Sequence, residues 1–109
     1  MFRGIFGSEN KGKILLYIYT KGEAYPTEIT RDLNLYLNAV QYQLLNLEKY
    51  GILYSKLKGK VRLFGMNPRY PFKRELEALL KKILQFIPKE EKEKLYMPRL
   101  RPRRTNKPL

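Results

Sequence analysis

The fold is decided between residues 33 and 53, where the chain reads LNLYLNAVQYQLLNLEKYGIL. Four apolar residues of this stretch recur at helical spacing and therefore lie on one face of an α-helix: Leu37, Val40, Leu44 and Leu47. We expect the helix to end at Gly51, because glycine readily adopts the backbone conformation that terminates a helix. The apolar face should pack inward.

Half a turn round the same helix lies a second, mostly polar face. Its residues are Asn38, Gln41, Tyr42, Leu45 and Lys49. Most of these side chains can hydrogen-bond to a base edge or a phosphate, and an outward face rich in amides is what a DNA-recognition helix needs. An amphipathic helix whose polar face is merely solvated has the same pattern, so this stretch alone leaves both interpretations open.

Net charge narrows the choice of partner. The 109 residues include 23 Lys and Arg against 10 Asp and Glu, which gives a formal charge of +13. A chain of this length holds one small domain with attachments. Because its charge attracts polyanions, nucleic acid is the leading partner class and an anionic membrane the second.

Missing residue types exclude several chemistries. The sequence has no Cys and no His, which removes disulfides, the usual zinc ligands, thiol nucleophiles and the imidazole base. Since its carboxylates are scattered and it lacks a Gly-rich phosphate loop, we expect neither an enzyme nor a cofactor. The opening MFRGIFGSENKGK lacks a long apolar core, and no later stretch offers about eighteen consecutive apolar residues, so we expect neither a signal peptide nor a membrane span. Because the chain has no Cys, we expect it in the reducing cytoplasm.

The residues before the central stretch predict two further helices. Ser8 is a candidate N-cap for a helix over residues 9–20, and residues 23–25 form a short extended piece. Pro26 is typical of a helix start, and this second helix should end near Asn34. The inward residues of the first helix are Ile14, Leu15 and Ile18. A short helix, a tight turn and a second helix have the length of a helix-turn-helix.

After Gly51 the pattern changes to that of a β-hairpin. Residues 52–57 and 61–66 are rich in β-branched and aromatic residues, and Gly59 lies between them. The hairpin carries four basic residues at or near its tip: Lys56, Lys58, Lys60 and Arg62. They are suited to contact phosphates, although lysines on an edge strand also serve to prevent aggregation.

The segment LNAVQYQLLNLEKYGILYSKLKGKVRLFGMNP resembles the recognition helix and wing of ArsR-type and MarR-type transcription regulators. The resemblance covers roughly residues 9–87 and rests on a hydrophobic pattern more than on fixed polar residues. It implies a winged helix-turn-helix, mainly α with a small β-hairpin (α+β), and a C-terminal helix added to it. Metal-sensing ArsR members use Cys and His ligands, which this chain lacks, so metal sensing is not expected.

The resemblance implies a role for individual residues. The base-reading candidates are Asn38, Gln41 and Tyr42, of which Tyr42 can instead contact a phosphate or a thymine methyl group. The candidates for phosphate contact, beside the basic hairpin, are Thr27, Tyr36 and Lys49. Thr27 has an alternative role as a helix cap, and Tyr36 as an aromatic residue at the edge of the core.

Residues 71–87 are predicted to form a helix. Its apolar side chains cover a wider arc of the helix surface than packing on one small domain requires. We therefore expect a homodimer, whose interface residues would be Leu76, Leu79, Leu80, Ile83, Phe86 and Ile87. The alternative is a helix sunk deeper into the core of its own chain.

The end of the chain is basic and rich in proline. After a short charged helix that reaches Tyr96, we expect a flexible arm whose arginines can lie along phosphates: Arg99, Arg101, Arg103 and Arg104. A disordered solubilising end is the competing interpretation. The expected division is a DNA-binding domain over residues 1–67, C-terminal helices for dimerisation over 68–96 and a basic tail over 97–109.

Together these features predict a homodimeric transcription regulator that binds double-stranded DNA and is associated with the nucleoid. One alternative is a winged-helix protein-interaction module of a larger assembly. Another is a protein that coats DNA or RNA without reading its sequence. The operator, the regulated genes, the sign of regulation and any small-molecule effector are not determined by the sequence.

Overall fold

Six helices and three short strands follow one another along residues 1–98, the part of the chain that the computed structural model describes. The helices are α1 (Phe2–Phe6), α2 (Glu9–Lys21), α3 (Pro26–Leu33), α4 (Leu37–Lys49), α5 (Lys73–Gln85) and α6 (Lys89–Leu95). The strands are β1 (Glu23–Ala24), β2 (Leu53–Lys58) and β3 (Val61–Met66). The predicted α+β class is confirmed.

Helix α2 lies at the centre of the core. It begins at the predicted cap, where the Ser8 hydroxyl oxygen accepts a hydrogen bond from the Lys11 N–H at 3.2 Å. Five successive residues, Ile14 to Ile18, are each at most 1% exposed. The predicted inward stripe of Ile14, Leu15 and Ile18 is confirmed, but the helix is buried on all sides because it contacts α1, α3, α4, α5 and two strands.

The helix-turn-helix is formed by α3 and α4. Helix α3 begins at Pro26 as predicted, but its N-cap is Tyr25, whose N–H donates to the Glu28 carboxylate at 2.9 Å. The suggested capping role of Thr27 is therefore wrong. The helix ends at Asn34 in a left-handed conformation with φ 54°, and the chain turns into α4.

The inward face of α4 is the predicted one with a single exception. Val40, Leu44 and Leu47 are buried, whereas Leu37 is 40% exposed because it begins the helix at the edge of the core. The helix ends at Lys49, and Gly51 follows with φ 77°, a conformation that glycine adopts without strain.

The hairpin and the extended piece join into one sheet. Strands β2 and β3 are antiparallel, and their register runs from Leu53↔Met66 to Lys58↔Val61, so that Gly59 and Lys60 form a two-residue turn. Strand β1 pairs with the other side of β3, which gives the order β1-β3-β2. The extended piece thus adds a third strand to the hairpin, and β3 is the central strand.

Helix α5 divides its apolar residues between the core and the surface. Leu80, Ile83 and Ile87 belong to the same buried cluster as the α2 residues. They are packed inside their own chain, as the alternative interpretation of this helix expected, and are not available to a second copy. Leu79 and Phe86 are 37% and 66% exposed, while Leu76 is half-buried.

Gly12 of α2 generates the first testable prediction. A Cβ atom there would lie 2.4 Å from the Cβ of Phe2, so Gly12→Ala should displace α1 and expose Phe2. Losing most of this burial costs about 1.5–3 kcal/mol, of which the better helix propensity of Ala offsets about 1 kcal/mol. We expect the free energy of unfolding, measured by urea denaturation, to fall by about 1 kcal/mol. Gly4→Ala is the matched control, since a Cβ at Gly4 meets no atom within 4 Å; a Gly12→Ala protein as stable as the control would refute the packing argument.

Candidate nucleic-acid interface

The exposed face of α4 gathers the predicted base-reading residues. Asn38, Gln41 and Tyr42 are all exposed, and Tyr42 shows 65% of its surface. Leu45 lies in the middle of this face and is 58% exposed, although it is a large apolar residue. The face therefore offers amides, an aromatic hydroxyl and an aliphatic side chain in adjacent turns.

The candidates for phosphate contact surround this face. Thr27, in the first turn of α3, is exposed, as is Lys49 at the end of α4. Tyr36, the N-cap of α4, is 86% exposed, so its alternative role at the edge of the core is wrong. All three side chains are accessible from solvent.

The register of the hairpin assigns its basic residues to two faces. Residues directly opposite each other on antiparallel strands project to the same side of a sheet. Arg62 therefore shares a face with Leu57, Ser55 and Phe64, and this face looks toward α4. Lys56 and Lys58 project from the other face, and Lys60 is exposed in the turn. The predicted basic cluster is thus split by the sheet.

A chain of polar contacts connects the hairpin to α4. A guanidinium nitrogen of Arg62 donates to the Ser55 hydroxyl at 3.0 Å, and that hydroxyl donates to the Glu48 carboxylate of α4. These contacts link both strands of the hairpin to α4. They fix Arg62 at the side of α4 that carries Gln41 and Leu45.

A second cluster holds Lys56 on the opposite face of the sheet. The ammonium of Lys56 lies 3.1 Å from the Glu23 carboxylate of β1, which also accepts a hydrogen bond from the Tyr54 hydroxyl. The Tyr54 ring reaches Glu23 by crossing β3 at Gly65, where a Cβ would lie 2.6 Å from the hydroxyl oxygen. The charge of Lys56 is thus already paired with a carboxylate.

The titration properties of this cluster follow from its burial and charge. Burial, together with the adjacent Glu23 carboxylate, raises the pKa of Tyr54 to about 12. Burial alone would raise the pKa of Glu23, but the hydrogen bonds from Tyr54 and Lys56 outweigh it and hold that pKa below its ordinary value. At neutral pH Glu23 is therefore an anion and Tyr54 a hydrogen-bond donor.

A half-open groove of about 270 Å³ separates α4 from the hairpin. Its lining residues are Pro26, Gln41, Leu44, Leu45, Arg62 and Phe64. Leu44 and Phe64 are buried and form an apolar floor, whereas Gln41 and Arg62 are exposed at its rim. The groove opens on the same surface as the amides of α4.

Other predicted features lie elsewhere or have no structural counterpart. Arg99, Arg101, Arg103 and Arg104 fall outside the described residues. Within residues 1–98, no three His, Cys, Asp or Glu side chains gather as ligands for a metal ion. No helix in this part of the chain is both long enough and apolar enough to cross a bilayer.

The arrangement of α3, a tight turn, α4 and a small antiparallel sheet with a projecting hairpin is a winged helix-turn-helix. The hairpin β2–β3 is the wing. No protein-family model and no curated protein matches the sequence. Among solved structures, the chain is similar to a double-substituted variant of ZitR from Lactococcus lactis in its apo form.

The likeness to ZitR has a TM-score of 0.55 and 16% sequence identity, and it covers 84% of this chain and 78% of that chain. ZitR is a winged-helix regulator. At this level of identity the comparison shows the fold alone. The ArsR-like or MarR-like assignment therefore stays a prediction.

Sequence reasoning missed the residues that orient the wing. Gly65 carried a usable signal, because a glycine inside a strand marks a close approach by another group. Glu23, Glu48 and Ser55 carried none, since each is an ordinary polar residue whose partner is distant in the sequence or on a different element. Their pairing depends on how the sheet docks against α4.

The Glu23 cluster generates a pH-dependent prediction. Folding lowers the pKa of Glu23. The stabilisation that the ionised Glu23 contributes is therefore complete above the ordinary carboxyl pKa of about 4.3, and it is lost as the pH falls from there through the lower pKa of the folded state. Glu23→Gln should therefore lower the free energy of unfolding by about 1 kcal/mol at pH 7 and by clearly less near pH 3. The control is Glu90→Gln, an exposed carboxylate of α6 whose loss should change stability by less than about 0.5 kcal/mol. A Glu23→Gln effect that is the same at both pH values would contradict this account.

Proposed function

We propose that this protein is a transcription regulator that binds double-stranded DNA, with α4 in the major groove and the wing on the backbone or in the minor groove. The observation that carries the proposal is the exposed amide face of α4 beside a basic hairpin that is bonded to the same helix through Arg62, Ser55 and Glu48. The similarity of the fold to a winged-helix regulator supports it.

Base reading is proposed for the first half of α4. Asn38 and Gln41 are three positions apart and exposed on one face, so both amides can reach base edges when the helix enters the groove by its N-terminus. An Asn or Gln amide pairs with N6 and N7 of adenine through two hydrogen bonds. Tyr42 is proposed to contact a base or an adjacent phosphate.

Phosphate contacts are proposed for the periphery of the same surface. The candidates on the helices are Thr27, Tyr36 and Lys49, and those on the wing are Lys58, Lys60 and Arg62. Lys56 is a weaker candidate than the sequence suggested, because its ammonium is paired with Glu23. The tail arginines are proposed to add attraction to the backbone, in line with the net charge of +13.

A homodimer is proposed through a narrower surface than the sequence suggested. Three exposed residues on α5 or just beside it, Phe72, Leu79 and Phe86, recur at intervals of seven and lie along one side of the helix. An antiparallel pair of helices centred on Leu79 brings Phe72 of one copy opposite Phe86 of the other. The same pairing brings Glu75 close to the oppositely charged Lys82. Residues 68–96 would then join two recognition helices in one molecule.

The test of base reading is selection of bound duplexes from random DNA. Replacing Asn38 or Gln41 with Ala should relax the preference at particular base pairs, by about 1–3 kcal/mol for a contact with two hydrogen bonds. Both variants should remain folded, since the side chains are exposed. Gln85→Ala removes an exposed amide from α5 and is the matched control. Unchanged preferences in both variants would show that another surface reads the bases.

The test of the dimer is Leu79→Glu, measured by sedimentation. A carboxylate in a dry interface is costly, so this variant should be monomeric, folded and weaker on the selected duplex. Leu80→Glu is the contrasting variant, and it should unfold because Leu80 is 0% exposed within its own chain. A wild-type protein that sediments as a monomer at roughly tens of micromolar would refute the dimer.

A further inference from the structure

Leu45 is the aliphatic residue of the outward face of α4. It is 58% exposed in the centre of a face whose other members are Asn38, Gln41, Tyr42 and Lys49. A leucine that only faced water would gain nothing from its apolar surface. Since Leu45 also lines the groove beside the wing, its side chain extends an apolar floor out to the rim.

The groove is suited to a small apolar group. Its floor consists of the side chains of Leu44 and Phe64, which are 0% and 3% exposed, and Pro26 forms one wall. The positive charge at its rim, Arg62, already donates to Ser55 and is held at the side of the opening. A methyl group that entered this groove would contact carbon atoms on several sides.

We infer that Leu45 and this groove bind the 5-methyl groups of thymines, so that the operator contains an A·T-rich half-site. The inference rests on the proposed function and deepens it. In the major groove the thymine methyl is the apolar group that a base pair presents, and its partner adenine presents the N6 and N7 atoms that Asn and Gln amides bind. One surface of α4 thus carries the two chemistries that an A·T pair requires.

The helix geometry places the two contacts within about two base pairs of each other. Gln41 and Leu45 are one turn apart, a rise of about 6 Å along the helix, which corresponds to about two base-pair steps of 3.4 Å. A thymine methyl is therefore expected within about two base pairs of the adenine that Gln41 contacts. The sequence selected from random DNA locates that adenine, because Gln41→Ala relaxes the preference there.

The decisive experiment replaces single thymines of the selected duplex with deoxyuridine, which deletes the methyl group and leaves base pairing intact. For the wild-type protein we expect affinity to fall about fourfold at one thymine within about two base pairs of the Gln41 contact, the value for one buried methyl group. Leu45→Ala should bind the thymine and deoxyuridine duplexes equally well. Leu57→Ala is the matched control: it removes another exposed leucine, 62% exposed at the tip of the wing, and should keep the discrimination.

The possible failures are distinguishable. If the wild-type protein prefers one duplex sequence but binds its deoxyuridine versions equally well at every position, this inference is overturned and the proposed function stands. If the protein binds every duplex equally, or none, the base-reading function fails and the inference fails with it. If Leu45→Ala retains the discrimination, Leu45 does not hold the methyl group and the inference is overturned. Tight binding of a protein ligand on this face, with no duplex binding, would identify the surface as a protein-docking site and overturn both.

Discussion

The burial of α2 on all sides is the constraint on which the rest of the structure depends. Five successive residues, Ile14 to Ile18, are shielded from water, and no single neighbouring element can cover a helix all round. Helices α1, α3, α4 and α5 and the sheet each contribute one apolar face to it. Because α4 and β3 both pack on α2, the second helix of the helix-turn-helix and the wing share a common scaffold. Even the hydroxyl of Tyr17 within this run is satisfied, since it donates to the Asp32 carboxylate of α3.

Apolar packing positions only the base of the wing. Polar contacts to α4 and β1 determine the orientation of the rest of the hairpin. Leu53 and Phe64 anchor the two strands in the core, whereas the tip of the hairpin is exposed. On one face, Arg62 and Ser55 connect the strands to Glu48 of α4; on the other, Tyr54 and Lys56 connect β2 to Glu23 of β1. Each cluster connects a carboxylate to a basic group of the wing, directly in the case of Lys56 and Glu23 and through the Ser55 hydroxyl in the case of Arg62 and Glu48. The same contacts that hold the hairpin in place therefore also decide which of its cations face α4 and which are neutralised by a neighbour.

Periodicity predicted the elements but not the partners of their side chains. The helices over residues 9–20 and 26–34, the strand over 61–66 and the inward residues Val40, Leu44 and Leu47 were predictable, because each is determined by local spacing. The N-cap of α3 was not predictable. Tyr25 precedes the helix and Thr27 lies in its first turn, and only the contact of the Tyr25 N–H with Glu28 identifies Tyr25 as the cap. The broad apolar arc of α5 left two interpretations open, a dimer interface and a helix sunk into its own core. Spacing alone could not say that Leu80 faces the core and Leu79 the surface, because that depends on the angle at which α5 meets α2.

The net charge of the protein and the side chains on the exposed face of α4 act at different distances. A net charge of +13 attracts any polyanion over about one Debye length, roughly 10 Å at 0.1 M salt, and is indifferent to base sequence. The exposed face of α4 contains a single cation, Lys49, and its central side chains are two amides and Leu45. Such groups contribute little to the free energy of binding until they contact a base edge. There, an amide without a hydrogen-bond partner or an unfilled apolar groove weakens binding. In the function that we propose, this separation lets the wing and the rest of the basic surface attract DNA while α4 discriminates among sequences. Affinity should then depend strongly on salt, whereas the ratio of affinities between two duplexes should depend on it much less.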